Sequence, residues 1–366
     1  MPPRRRRWLA VVPVLGLVAA LLGVRCQHRA GRQHDADEAQ WVPFADGVAR
    51  TALDGTSLPF STGSERFDGE WALVTCQMSI LGLQQVADRF PERRADYAQA
   101  SAACVDRMLS DELLAFGAAP WGLTPDQVRS SPPGHAWLGY LALALGRHRQ
   151  LQPDTPHAAF HDRLITALAA AVDAAPHGLI ATYPGEAYPA DTAAVIGAIA
   201  EHGGFPEVVE RWRPRFRAAA VDPATGLLRQ HVSVEGRMVD GPRASGTAIG
   251  CVFLHRADPE LSADLWTALR RQLRHVPGFA AVREHPAGVR RPGDIDSGPL
   301  ILGTSVSATG FAIGCARRNG DRAAYIRLVT TSDLFGLPYR WGGERHYAVG
   351  FALGDAILLA MGTAAP

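Results

Sequence analysis

A charge imbalance is the first thing this 366-residue sequence lacks: 37 basic side chains face 36 acidic ones, leaving a net charge of +1. A protein that neutralises a phosphate backbone carries a clear basic surplus, so nucleic-acid binding is excluded as a main role. Cysteine is sparse too. Cys26, Cys76, Cys104, Cys251 and Cys315 show neither a C-x-x-C pair nor a Cys/His ligand spacing. No structural zinc site is expected, and no metal or cofactor is implied elsewhere. Four of the five lie in apolar helical runs and read as buried small hydrophobes. In an exported chain Cys76 and Cys104, on successive helices, are the two placed to pair. Strand-like alternation is also scarce, limited to pieces such as Leu228–Val234.

What the sequence has is hydrophobic content, 47% of it, enough for a large core. Arg4–Arg7 precede an uncharged run from Trp8 to Val24. That is the layout of an export signal or an uncleaved anchor, at the short end for a membrane span. We read 1–24 as the anchor, with the bulk of the chain extracytoplasmic. Residues 25–37 then form a polar linker, and 38–366 one domain.

From Asp37 onward two kinds of helix alternate. One kind is apolar on nearly every side: Glu70–Phe90, His135–Arg147, Thr192–His202, Ala244–Arg256, Gly298–Arg317 and Tyr347–Gly362. The other is charged on one face: Asp37–Leu53, Pro91–Glu112, His157–Ala175, Pro206–Ala220, Pro259–His275 and Gly320–Ser332. A helix without a polar face must be buried all round, and an amphipathic one half-buried. Six of each predict an all-α (α/α)6 toroid, an inner ring enclosed by an outer one. Glycines such as Gly139 and Gly197 in the apolar set suit close helix approach.

If the inner helices all start at one rim, the loops before them line one mouth. Those loops supply Asp191, Asp294 and His135 as catalytic candidates. Glu186, Tyr188, Asp296, Arg243, Trp341, Glu344 and Asp68 are candidate substrate contacts. Crowded carboxylates hold one proton while neighbouring arginines keep another acid ionised, the arrangement acid–base hydrolysis requires. Asp191 is also the expected N-cap of its helix. By dipole and crowding, Asp191 is the expected base or nucleophile and Asp294 the acid, with His135 and Tyr188 orienting substrate. Asp68 and Glu70 in FDGEW have no calcium-loop spacing after them.

Three segments carry a resemblance: GHAWLGYLALALGRHR (134–149), APHGLIATYPGEAYPADTAAV (175–195) and VDPATGLLRQHVSVEGRMVDG (221–241). From about Pro59 to Ala316 the chain resembles the linalool dehydratase/isomerase family. The resemblance implies an (α/α)6 barrel with its site at the mouth, and carries a site histidine over to His135. Ala181 and Ala190 stand where that family has two cysteines, and Asp191 stands where it has a polar amide. The sequence therefore predicts an exported or membrane-anchored toroid enzyme running carboxylate chemistry on a polyhydroxylated small molecule. An isoprenoid hydro-lyase is the second reading and a non-catalytic scaffold the third; a homo-oligomer is compatible with all three.

Overall fold

A computed structural model describes residues 21, 23–35, 38–55, 60, 62 and 64–365 of the chain. Most of the expected anchor, Trp8–Val24, lies outside the described residues.

Six helices form a closed inner ring: α2 (Glu65–Arg89), α6 (Leu138–Leu151), α8 (Pro189–His202), α10 (Ala244–Leu254), α12 (Val306–Arg318) and α14 (Phe351–Thr363). Each packs on the next, and α14 closes back onto α2. Around them stand α1 (Glu38–Asp54), α3 (Arg94–Met108), α7 (Ala158–Ala174), α9 (Pro206–Ala220), α11 (Pro259–Gln272) and α13 (Arg322–Gly336). The predicted (α/α)6 toroid is the observed fold. Two short helices, α4 (Asp111–Ala118) and α5 (Pro125–Ser130), fill the long passage from α3 to α6.

Glycine makes the inner ring close enough to shut. A Cβ at Gly139 of α6 would lie 2.6 Å from the Val195 backbone nitrogen of α8, and one at Gly197 of α8 would lie 2.6 Å from the Phe253 carbonyl oxygen of α10. Such separations are below van der Waals contact, so only glycine fits where the backbones touch.

The inner-helix starts share one rim with the loops that feed them. There the chain adds β1 (Glu186–Ala187), β2 (Arg229–Ser233) and β3 (Met238–Pro242), a three-stranded antiparallel sheet in that order. Three hairpins accompany it: β4 (Leu273–Val276) with β5 (Phe279–Val282), β6 (Leu300–Ile301) with β7 (Thr304–Ser305), and β8 (Pro338–Trp341) with β9 (Glu344–Tyr347). These hairpins shorten two expected helices. The inner helix expected from Gly298 begins at Val306, because residues 300–305 pair as β6 and β7, and that expected from Tyr347 begins at Phe351. Residues 136 and 137 form a turn ahead of α6, which begins three residues after the expected His135.

The stretch read as a polar linker is helical over 23–34. It lies antiparallel to α13, with Arg29 paired to Asp333 at 2.8 Å and Asp35 to Arg322 at 3.1 Å. All five cysteines are buried free thiols, so Cys76 and Cys104 are not bonded.

Candidate active site

Asp191 is the third residue of α8. Tyr188 takes the N-cap position expected for Asp191, and Pro189, needing no N–H partner, opens the helix. That leaves the carboxylate free to face the rim interior. Tyr140 of α6 donates its hydroxyl to Asp191 Oδ1 at 2.8 Å, and Thr182 donates its own to Oδ2 at 2.7 Å. Burial raises the Asp191 pKa, and the two hydroxyl donors work against that rise. Burial also pushes the Tyr140 phenol well up, so it remains a donor.

Asp296 arrives from the loop before α12. Gln230 of β2 donates Nε2–H to its Oδ2 at 2.9 Å. Burial pushes Asp296 up to about 7, with the charges of Asp294 and Asp191 adding to the rise and Arg243 opposing it. Two residues earlier, Asp294 is held differently. Its Oδ2 accepts a short bond from Arg243 Nη1, and its Oδ1 accepts from the Ser297 N–H at 2.9 Å. Arg243, the N-cap residue of α10, also pairs with Asp240, which takes a second bond from Arg291 at 3.0 Å. The Arg243 pKa is raised: burial lowers it, and Asp294 and Asp240 more than offset that.

Two further acids border the group. Glu284 is fully buried, accepting from the Ser245 hydroxyl at 2.6 Å and the Ser245 N–H at 3.2 Å. Burial raises its pKa, and Ser245 opposes the rise. Glu70 of α2 accepts from the Tyr183 hydroxyl at 3.2 Å.

His135 reaches Asp191 through two intermediates, Trp121 and Thr182. Its ring stacks on Trp121 with centroids 3.7 Å apart and planes 14° from parallel. Trp121 donates to the Thr182 carbonyl at 3.1 Å, and Thr182 holds Asp191. Burial lowers His135 to about 4, so it is neutral, and its buried Nδ1 has no hydrogen-bond partner. Tyr188 donates to Glu186 at 3.0 Å and stacks on His231. Burial and the Glu186 carboxylate raise its pKa.

Asp191, Asp294, Asp296 and Arg243 thus meet, with Tyr188, Glu186 and His135 at their edge. Three expected residues are engaged elsewhere. Glu344 binds Arg50 of α1 and lies 3.4 Å from His346, whose other ring nitrogen is 3.2 Å from Asp355 of α14. Trp341, at the β8–β9 tip, is 78% exposed. Asp68 accepts the Thr62 N–H at 2.7 Å, closing the loop before α2. Sequence reasoning missed Tyr140, Thr182, Gln230 and Glu284. Tyr140 alone left a signal, a hydroxyl in the otherwise apolar LGYLALAL.

At the opposite end of the ring, Arg147 of α6 pairs with Glu201 of α8 and donates to Gln84 Oε1 of α2 at 3.0 Å. Beside them a void of about 10 Å³ remains, bordered by Leu81, Leu143 and Arg318. A larger cleft, about 410 Å³, lies on the outer wall among Arg270, Arg271, His275 and Arg327, and shares no residue with the acid cluster.

No protein-family model matches the sequence, and neither does any curated protein. Among solved structures the chain is similar to an unsaturated glucuronyl hydrolase specific for heparin. That match has a TM-score of 0.57 at 9% identity, covering 92% of this chain and 96% of the other. It is also similar to an α-1,6-mannanase of Salegentibacter sp. HEL1_6, with a TM-score of 0.54 at 13% identity over 88% and 98% of the two chains. An inactive variant of that mannanase, with two consecutive aspartates replaced by asparagine, holds α-1,6-mannotriose and gives a TM-score of 0.55 at 12% identity over the same shares. The present sequence has no two consecutive aspartates. At these identities the likeness is one of fold.

Proposed function

We propose that the chain is an enzyme running carboxylate acid–base chemistry on a carbohydrate-like, polyhydroxylated substrate, in the manner of a glycoside hydrolase. One observation carries the reading. Two half-buried or buried carboxylates, from two different inner-helix entrances, lie in one group with opposite support. Asp191 is met by two hydroxyl donors and is the base or nucleophile. Asp296, short of donors and crowded by Asp294 and Asp191, keeps a proton near neutrality and is the acid. The acid role expected for Asp294 passes to Asp296, because Arg243 occupies Asp294. Asp294 and Arg243 set the local charge, and Tyr188, Glu186 and neutral His135 are placed to contact substrate hydroxyls. The toroid neighbours, a glucuronyl hydrolase and a mannanase, support the substrate class by analogy of fold.

The test is a panel of aryl glycosides, α-mannosides and unsaturated uronides, assayed with wild-type protein and with Asp191→Asn and Asp296→Asn. Hydrolysis of one sugar class, lost in both folded variants, is the expected result. Turnover that survives both substitutions would overturn the assignment. Elimination of water from an isoprenoid alcohol, the chemistry of the family resembled, has alanines 181 and 190 at its thiol positions. It would then rest on the same two aspartates, and an isoprenoid alcohol in the panel separates the two reactions.

A further inference from the structure

The large apolar side chains left exposed are distributed on one side. Among the described residues, every one lies on an outer-to-inner connection, within a turn of one, or at the start of the helix over 23–34. Leu302 is 85% exposed at the β6–β7 turn, and Phe351 is 79% exposed at the start of α14. Trp341, Met238 and Val239 stand on hairpins of the same rim. The opposite connections, 90–93, 152–157, 203–205, 255–258 and 319–321, carry none among the described residues.

Backbone conformation adds to the pattern. Leu302, Leu337 and Phe351 have φ of 52°, 53° and 51°, the left-handed region that disfavours branched and bulky side chains. All three are exposed rim residues. A surface meant for water would place glycine or asparagine there.

One further feature says what covers this face. The helix over 23–34 runs antiparallel to α13, so its start lies at the α13 C-terminal end, the rim end. Gly23 meets Phe279 of β5, and Leu21 and Val24 are exposed beside it. The uncharged run from Trp8 therefore joins the chain on the mouth side. The exposed guanidiniums of the rim, Arg50, Arg237 and Arg291, are each paired with an acid, Glu344, Glu235 and Asp240.

We propose that the mouth face of the toroid rests on a lipid bilayer, its apolar rim among the headgroups and its acid cluster opening toward the membrane. The substrate is then an amphiphile whose polar head reaches Asp191 and Asp296 from the lipid side. This second half rests on the acid–base reading; the docking itself does not.

The docking test uses the full chain reconstituted into phosphatidylglycerol-containing vesicles with brominated acyl chains. A bimane probe is attached at Leu302→Cys, at Val239→Cys as a second rim position, or at Asp154→Cys on the opposite face. The native cysteines are buried and stay unlabelled. Strong quenching at both rim positions and none at Asp154→Cys is expected. Equal quenching at all three, or none at the rim, would overturn the proposal. Rim probes that become shielded in detergent as protein concentration rises would assign the face to a second copy, and overturn it too. For the substrate, one sugar head is compared in free and lipid-linked form. The lipid-linked form should turn over faster, with the advantage lost in Leu302→Asn and Val239→Asn while the free sugar is unaffected. Equal rates would remove the amphiphile and leave the docking and the acid–base site standing.

Discussion

The Tyr140 hydroxyl lies 2.8 Å from Asp191 Oδ1, so a helix that opens one loop earlier in the ring holds the acid of the next. Asp191 owes its position to this bond and to that from Thr182, with no part in capping its own helix. Asp191→Asn keeps the side-chain volume and one acceptor but removes the charge. Turnover should fall by roughly 10²–10⁴-fold in a protein that still folds, checked by activity and thermal melting together. Near-normal turnover would show that the carboxylate is only structural.

Tyr140→Phe isolates the positioning role. It removes one donor to the ionised Asp191, at a cost of about 1–3 kcal/mol for a buried charged acceptor left short of a partner. The acid limb of the pH–rate profile should then move to higher pH, because the charged form of Asp191 has lost support. A loss of rate with an unmoved limb would make Tyr140 a packing residue.

The alternation of apolar and amphipathic helices made the ring legible, since each class has one way to satisfy its faces. Pro206–Ala220 was placed to the residue. The hairpins were not legible. GPLILGTSVSATG reads as one apolar run, yet Gly303 at a φ of 79° turns it back on itself as β6 and β7 before α12 begins. In the site, loop acids before buried helices were visible as a pattern. Which of Asp294 and Asp296 would be taken by Arg243 depends on the fold of that loop, and adjacent acids two residues apart look alike in sequence. Gln230 and Glu284 come from a strand and a loop remote in sequence from what they touch, so no spacing announces them.

Gly139→Ala tests the ring closure. The added methyl would meet the Val195 backbone at 2.6 Å, and backbone yields less readily than a side chain. Overpacking of this kind costs about 1–3 kcal/mol. A lowered melting temperature is expected, and an unchanged melt would mean that α6 and α8 can separate freely.

Asp296 gives the pH dependence, in rate and in stability. As the acid it must be protonated, so turnover should decline as pH rises through about 7, and Asp296→Asn should abolish that limb along with the rate. For stability the sign follows from proton counts. Its folded value is about 7 and its ordinary one 3.8. Between those values the folded protein retains a proton that the unfolded chain has released. Stability from this group therefore falls as pH rises through the window, and the loss is complete above about pH 7. Asp296→Asn has no charge to bury, so it should melt higher than wild type at pH 8 and close to it at pH 4. Arg243→Gln should act in the opposite sense. With Asp294 left without its guanidinium and Asp240 held only by Arg291, Asp296 holds its proton more tightly, and the basic limb of the rate profile should move upward. A variant melting below wild type at pH 8, or a basic limb unmoved by Arg243→Gln, would show that Asp296 is not the group that carries the proton.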